Sequence, residues 1–210
     1  MRVLIVSVCI VVADQITKLL VKGLSIPEIG IRWEGMRYGS STPVFGDFLR
    51  WTYIENAGMA FGIDPGGGRL FFSIFSIVAS VAILVYLIRA RRETVFLRLP
   101  LALILGGAVG NLIDRMFYGM LFDHAGLFAG RVVDFIDVQF INLDFIGVHL
   151  SRWPVFNIAD ASVTLGVILL LVFSKKVMES TQEGDVLPAR IADRPGEGRD
   201  PEESNPHPGR

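Results

Sequence analysis

The sequence predicts an all-α polytopic membrane protein with four transmembrane helices. Hydrophobic residues make up 51% of its 210 residues and charged residues only 20%, which is more apolar than a soluble core requires. Four apolar runs can each cross the hydrocarbon layer, which takes about 20 helical residues at about 1.5 Å per residue. These runs are Val3 to Leu20, Leu70 to Ile88, Leu99 to Phe117 and Val155 to Phe173.

The first run has two readings, a retained helix or a signal peptide. Met1 and Arg2 form a short charged start that a signal peptide would also have. However, the run carries Asp14 and Lys18, and no small-residue cleavage site follows it. We therefore expect a retained transmembrane helix.

Basic residues predict the orientation of the helices. Arg89, Arg91, Arg92 and Arg98 lie between the second and third runs, and Lys175 and Lys176 follow the fourth. The positive-inside rule places these segments, and therefore both termini, in the cytoplasm. Residues 1–178 are expected to form one transmembrane domain, and the polar tail 179–210 is expected to be disordered because it has little apolar surface to bury.

The two outer segments, 22–69 and 118–154, contain alternating or β-rich stretches. Phe48 to Ile54 and Val132 to Phe140 both fit strands. Their aromatic side chains suit the boundary between water and lipid. We expect a small sheet that rests on the membrane.

Composition argues against several classes of function. The formal net charge is -1, so no nucleic-acid partner is expected. One cysteine and three scattered histidines make a multi-cysteine or histidine-rich metal site improbable. Neither a metal nor another cofactor is expected.

Polar residues inside the predicted helices need a partner or a function, because burying an ionisable group in lipid is expensive. Asp14 and Lys18 are four residues apart and so share a helix face, which predicts a stabilising pair. In the third run, Gly106 and Gly110 permit close helix packing, and Asn111 can hydrogen-bond across an interface. Asp114 and Arg115 fit either a local ion pair or a ligand contact.

Two aspartates near the outer face are candidates for acid-base chemistry. Asn157, Asp160 and Thr164 form one polar stripe at the start of the fourth run. Asp134 lies among apolar neighbours in the segment that leads back to this region. Two carboxylates that meet in a low-dielectric site share a proton, so one can activate water while the other polarises a carbonyl. The sequence does not show that they meet, and Asp137 is an alternative partner.

Five segments together resemble the lipoprotein signal peptidases, the bacterial type II signal peptidases. They occur in the family's order across residues 14 to 162, which makes the resemblance specific although each segment alone is weak. The segments are Asp14 to Lys18, Glu55 to Phe61, Gly106 to Arg115, Val132 to Phe135, and Phe156 to Ser162.

The resemblance implies a four-helix fold with a periplasmic β-cradle in the bacterial inner membrane. It also implies an aspartic endopeptidase that cleaves prolipoproteins just before the diacylglyceryl-modified cysteine, near the periplasmic face. Asp134 and Asp160 match the catalytic pair, and the Val-Val-Asp-Phe match favours Asp134 over Asp137. The matching positions that line or support the site are Asn56, Asn111, Arg115 and Asn157, with Asp14 and Lys18 in a stabilising role.

The competing interpretation is a transporter or channel whose polar residues line an ion path. Such a path needs polar groups through the whole membrane. The second run has only Ser73, Ser76, Ser80 and Tyr86, and the other polar groups, apart from the first-helix pair, gather near the outer face. The peptidase is therefore preferred, with prolipoproteins and membrane lipids as partners and a monomer as the expected state.

Overall fold

The computed structural model describes residues 2–58, 68–145 and 148–173, without the side chains of 68–69, 140–145 and 148–151. The chain divides into two units, Met1–Ser174 and Lys175–Arg210. The predicted tail lies outside the described residues, so its disorder remains a prediction.

Helices dominate the described residues. Helix α1 spans Val3–Lys22, α2 spans Gly68–Arg89 and α3 spans Val95–Ile113. Helix α3 continues through a wider π-helical turn, Asp114–Tyr118, and a last turn, Gly119–Phe122. The C-terminal helix is described over Ile158–Phe173.

Three helices are long and apolar enough to cross a membrane, namely Val3–Lys22, Leu70–Arg89 and Val95–Phe122. The predicted class, a helical membrane protein with a small sheet, is confirmed. The third helix is longer than the predicted 99–117. The fourth span remains a prediction, because the described part of the C-terminal helix is shorter than a bilayer crossing requires.

The outer segments form two antiparallel sheets. Strands β1 (Leu24–Ile26) and β2 (Ile31–Trp33) make a hairpin. A four-stranded sheet has the order β3-β4-β5-β6, and its strands are Ser41–Phe45, Leu49–Asn56, Val132–Phe145 and Val148–Arg152.

The pairing of β4 with β5 joins two segments that are far apart in the chain. Ile54 lies opposite Asp134, and Asn56 lies opposite Val132. A short antiparallel bridge between Ile136 and Phe156 then fastens β5 to the residues that precede the C-terminal helix. These two pairings carry Asn56, Asp134 and the start of the C-terminal helix to one place.

Glycines let α3 pack closely between α1 and the C-terminal helix. A Cβ on Gly106 would lie 2.9 Å from the Cβ of Ile10, and a Cβ on Gly107 would lie 2.3 Å from the carbonyl oxygen of Ala159. Both distances are shorter than any side chain allows. The small residues that the sequence assigned to helix packing therefore do pack at helix contacts.

Candidate active site

Asp134 and Asp160 lie on different elements that meet at Asn157. Asp134 is on β5 and only 2% exposed, whereas Asp160 is half-buried in the first turn of the C-terminal helix. The side-chain nitrogen of Asn157 donates to Asp134 Oδ1 at 2.6 Å, and its backbone N–H donates to Asp160 Oδ2 at 3.3 Å. One asparagine thus bonds to both carboxylates.

Local sequence explains the placement of Asn157 and Asp160. Asn157 precedes the helix, and its Oδ1 accepts the backbone N–H of Asp160 at 2.9 Å. The Asp160 carboxylate accepts the backbone N–H of Asn157 in return. This reciprocal pair is a capping box, in which a cap residue and the residue three positions later satisfy each other's free N–H groups. The capping box holds the Asp160 side chain at the helix start.

Asn111 connects Asp160 to the centre of the helical bundle. Its side-chain nitrogen donates to Asp160 Oδ1 at 2.7 Å, and its oxygen accepts from Lys18 Nζ at 2.8 Å. A lysine ammonium can only donate, so the oxygen of the Asn111 amide must face Lys18 and the nitrogen must face Asp160. Both oxygens of Asp160 therefore receive N–H donors.

The predicted pair of Asp14 and Lys18 is part of a larger buried network. Lys18 Nζ lies 2.8 Å from Asp14 Oδ2 and 2.8 Å from Asp114 Oδ2, and the side chains of all three residues are buried. With Asn111, these contacts use all three protons of the ammonium. From the sequence, Asp114 could form either an ion pair or a ligand contact. In the structure it forms an ion pair with Lys18.

The same network also bonds to the two segments that carry the aspartates, strand β5 and the start of the C-terminal helix. Asp14 Oδ1 accepts the backbone N–H of Ala159 at 2.9 Å, and Asp114 Oδ2 accepts that of Val133 at 3.1 Å. Each of these residues directly precedes a candidate catalytic aspartate. Lys18 therefore neutralises two carboxylates that anchor both sides of the site.

Gln15 is a member of this network that sequence reasoning missed. Its side-chain nitrogen donates to Asp114 Oδ1 at 2.9 Å and to the carbonyl oxygen of Gly110 at 3.1 Å. The available signal was its place inside the Asp14 to Lys18 segment.

Arg115 and Asn56 are two further polar residues that interact with the aspartates. Arg115 is half-buried, its charge interacts with Asp134 and Asp160, and its guanidinium lies 5.9 Å from the ring centre of Phe72. Its Nε is buried and has no hydrogen-bond partner among the described residues. Asn56 is exposed at the end of β4, where its Oδ1 accepts the N–H of Gly58 and its side chain hydrogen-bonds to Asp134.

Asp137 has different partners. Arg152 Nε donates to Asp137 Oδ1 at 2.6 Å, and Thr52 Oγ1 donates to Oδ2 at 2.7 Å. Both oxygens of Asp137 therefore bond to side chains of the neighbouring strands of the sheet.

The pKa of Asp134 is raised from 3.8 to about 7. Burial is the main cause, because it penalises the charged form, and the negative charge of Asp160 adds to it. The hydrogen bonds from Asn157 and Asn56 and the charge of Lys18 act in the opposite direction. Asp134 is therefore substantially protonated at neutral pH.

Across the described ranges, no group of three or more His, Cys, Asp or Glu side chains is arranged to hold a metal ion. Among the described residues, the site and its supporting network present carboxylates, amides, the Lys18 ammonium and the Arg115 guanidinium.

Comparison with known proteins identifies the family of the chain. The family model described as signal peptidase (SPase) II matches residues 6–176. A lipoprotein signal peptidase of Chlorobium phaeobacteroides is 32% identical over 168 residues, covering 80% of this chain and 86% of that protein. A Staphylococcus aureus protein of the same name is 32% identical over 183 residues, covering 87% and 93%.

A solved bacterial membrane enzyme superposes with a TM-score of 0.61 and 32% identity, covering 85% of this chain and 90% of that one. A second such structure gives the same TM-score at 33% identity, covering 81% and 90%. The resemblance carried by the five segments is thus confirmed, and the chain belongs to the signal peptidase II family of membrane peptidases.

Proposed function

We propose that the chain is an intramembrane aspartyl endopeptidase that removes signal peptides from prolipoproteins by cleaving before the diacylglyceryl-modified cysteine. The observation that carries the proposal is the bonding of Asp134 and Asp160 to the same asparagine, with the pKa of Asp134 raised to about 7. Membership of the signal peptidase II family supports the choice of substrate.

The two carboxylates have different surroundings, which suit them to different catalytic roles. Asp160 is half-buried and accepts N–H donors on both oxygens, which orients its carboxylate as a general base. Asp134 is buried beside that charge and holds a proton near neutral pH, which suits a general acid. Their environments thus separate a base from an acid.

With Asp160 as the base and Asp134 as the acid, hydrolysis proceeds in two steps. Asp160 takes a proton from a water molecule as the water oxygen bonds to the scissile carbonyl carbon, and Asp134 gives its proton to the carbonyl oxygen. In the second step, Asp134 takes back a hydroxyl proton while Asp160 protonates the leaving nitrogen. The carbon–nitrogen bond then breaks, which yields a carboxylic acid and an amine and restores both aspartates.

The other polar residues support these steps. Asn111 and Asn157 orient the aspartates, and Asp14 and Lys18 stabilise the elements that carry them. Arg115 places a positive charge near both aspartates, where it can attract a substrate carbonyl. Asn56 lies at the exposed edge, where it can contact both substrate and Asp134.

The location of the site fits cleavage near the periplasmic face of the inner membrane. Asp160 is in the first turn of the C-terminal helix, and basic residues follow that helix at Lys175 and Lys176. With both termini in the cytoplasm, the start of this helix lies on the outer side. A monomer contains every residue invoked above.

Replacing Asp134 or Asp160 by asparagine tests the mechanism. Acid-base groups contribute about 10²- to 10⁴-fold, so each variant, purified in detergent, should lose at least about 10²-fold of its cleavage rate on a diacylglyceryl prolipoprotein. Asp137→Asn is the matched control and should retain cleavage. Efficient cleavage by either of the first two variants would refute the aspartyl mechanism.

A further inference from the structure

A second cluster of charged side chains lies at the outer end of α1, centred on Glu55. Lys22, the last residue of α1, forms an ion pair with Glu55 on β4, and both side chains are only 9% exposed. The hydroxyl of Tyr53 donates to Glu55 Oε1 at 2.6 Å, and the guanidinium of Arg131 lies 3.9 Å from Oε2. We call these four residues the Glu55 cluster. The cluster joins the end of α1 to β4 and to the residue that precedes β5.

Glu55 directly precedes Asn56, which is the last residue of β4. Successive side chains of a strand point to opposite faces, so Glu55 meets Lys22 on one face while Asn56 hydrogen-bonds to Asp134 on the other. Asn56 is exposed, and a hydrogen bond weakens steeply when its alignment is lost. The bond from Asn56 therefore depends on a backbone that is held in place, and Glu55 holds it at the adjacent residue.

A second lysine of α1 holds the strand that faces β4. Lys18 and Lys22 are four residues apart, so they share one face of the helix. Lys18 pairs with Asp114, whose carboxylate accepts the backbone N–H of Val133 at 3.1 Å. Val133 lies opposite Glu55 in the sheet. The two lysines thus attach a facing pair of residues, one on each strand, to the same helix.

We propose that Lys22 and Glu55 are positioning residues, whose ion pair holds the end of β4 so that Asn56 stays bonded to Asp134. This inference rests on the proposed function, in which Asp134 is the general acid. The pair acts through Asn56 and not on the reacting atoms. Because the bond from Asn56 favours the ionised form of Asp134, the pair also influences the pH range of the activity.

The Glu55 cluster keeps its own charges while Asp134 titrates. Burial acts to raise the pKa of Glu55, but the hydrogen bonds from Lys22 and Tyr53 outweigh it and hold this pKa below its usual value. Burial is the main cause that raises the pKa of Tyr53 above its usual value. Glu55 is therefore ionised and Tyr53 neutral around neutral pH. The charged groups that act on Asp134 itself are Asp160 on the C-terminal helix, Lys18 on α1 and Arg115 in the π-helical turn.

Lys22→Met and Glu55→Gln each break the ion pair and test the proposal. The readout is the pH profile of kcat/KM for a diacylglyceryl-modified prolipoprotein peptide, whose basic limb falls as Asp134 loses its proton. Both variants should move this limb upward by about 0.3–0.7 pH unit, which raises the activity at pH 9 relative to pH 6 about two- to fivefold.

Two further variants serve as controls. Lys22→Arg keeps a cation beside Glu55 and should leave the limb where the unmodified enzyme has it. Arg50→Met breaks the ion pair with Asp47 near the other end of β4 and should also leave the limb in place.

The two test variants change the local charge in opposite directions, which separates positioning from a direct effect of charge. If the charges acted directly on Asp134, loss of the negative Glu55 would lower the pKa of Asp134 and move the limb down. Positioning moves the limb upward in both variants. In an Asn56→Ala background neither change should shift the limb further, because the bond that the pair maintains is already absent.

Opposite movements of the limb, or shifts that persist in the Asn56→Ala background, would overturn the positioning role. A uniform loss at every pH would also overturn it, because a merely structural pair gives that result. Glu55→Gln still offers an acceptor to Tyr53, so it carries the test where Lys22→Met does not fold. In each of these cases, cleavage by the unmodified enzyme leaves the proposed function intact. An unmodified enzyme that does not cleave the peptide would overturn the proposed function and this inference together.

Discussion

Asn56→Ala should extend the activity of the enzyme to higher pH. The pKa of Asp134 is about 7 because burial and the charge of Asp160 outweigh its favourable contacts, one of which is the hydrogen bond from Asn56. That bond favours the ionised carboxylate. Without it, Asp134 keeps its proton to higher pH and remains a general acid there.

The size of the shift follows from the strength and exposure of this bond. A hydrogen bond to a charged group contributes about 1.5–3 kcal/mol when buried, and about 1.4 kcal/mol corresponds to one pKa unit. Asn56 is exposed, so water replaces part of the lost bond. We expect the pKa of Asp134 to rise by roughly half a unit to one unit.

The assay is kcat/KM for a diacylglyceryl-modified prolipoprotein peptide between pH 5.5 and 9.5. The basic limb of this profile reports the acid of the free enzyme, so the unmodified enzyme should lose activity tenfold per unit above about pH 7. Asn56→Ala should move this limb upward, so that its activity at pH 9 relative to pH 6 rises about three- to tenfold.

Asp137→Asn is the control for the loss of a nearby polar side chain, and it should leave the limb in place because Asp137 bonds to Arg152 and Thr52. A limb that stays or moves down in Asn56→Ala would refute the reasoning. A uniform loss at every pH would instead assign Asn56 to substrate contact alone.

Two further predictions concern stability. Lys18→Met leaves two buried carboxylates without their shared cation and should lower the free energy of unfolding by about 3–5 kcal/mol. Arg32→Met removes one partner of an exposed pair and should lower it by less than about 1 kcal/mol. Thermal unfolding in detergent compares the two variants, and similar losses of stability would contradict the buried network. Gly107→Ala should lower the unfolding temperature, because its Cβ would lie 2.3 Å from the carbonyl oxygen of Ala159. Gly126→Ala meets nothing within 4 Å and should be neutral, so equal effects would contradict this packing.

Much of the fold could be predicted because the relevant signals are local. Each membrane-spanning helix follows from its own apolar residues, and strands β4 and β5 follow from their own alternation. The boundaries were less predictable. Helix α3 runs to Phe122 through a π-helical turn, and its continuation depends on packing of that end against the sheet.

The candidate site was predictable in part. The spacing of Asn157 and Asp160 is already that of a capping box, so their contact is a local property of the chain. Residue pattern alone did not separate Asp134 from Asp137, because both are acids on strand β5, and only the motif favoured Asp134. The partners of Asp137, Arg152 and Thr52, come from strands β6 and β4, so only the fold brings them to it.

The sequence by itself determined that the protein is built from membrane helices, and its motifs identified the family, because apolar length and residue spacing are properties of single segments. Only the tertiary structure decided which polar groups meet. Lys18, Asn111 and Asp160 come from three separate helices, and their contacts exist because close packing of α3 joins those helices. Buried donors and acceptors must find partners, so this packing also determines the orientation of the Asn111 amide and, through it, the environment of Asp160.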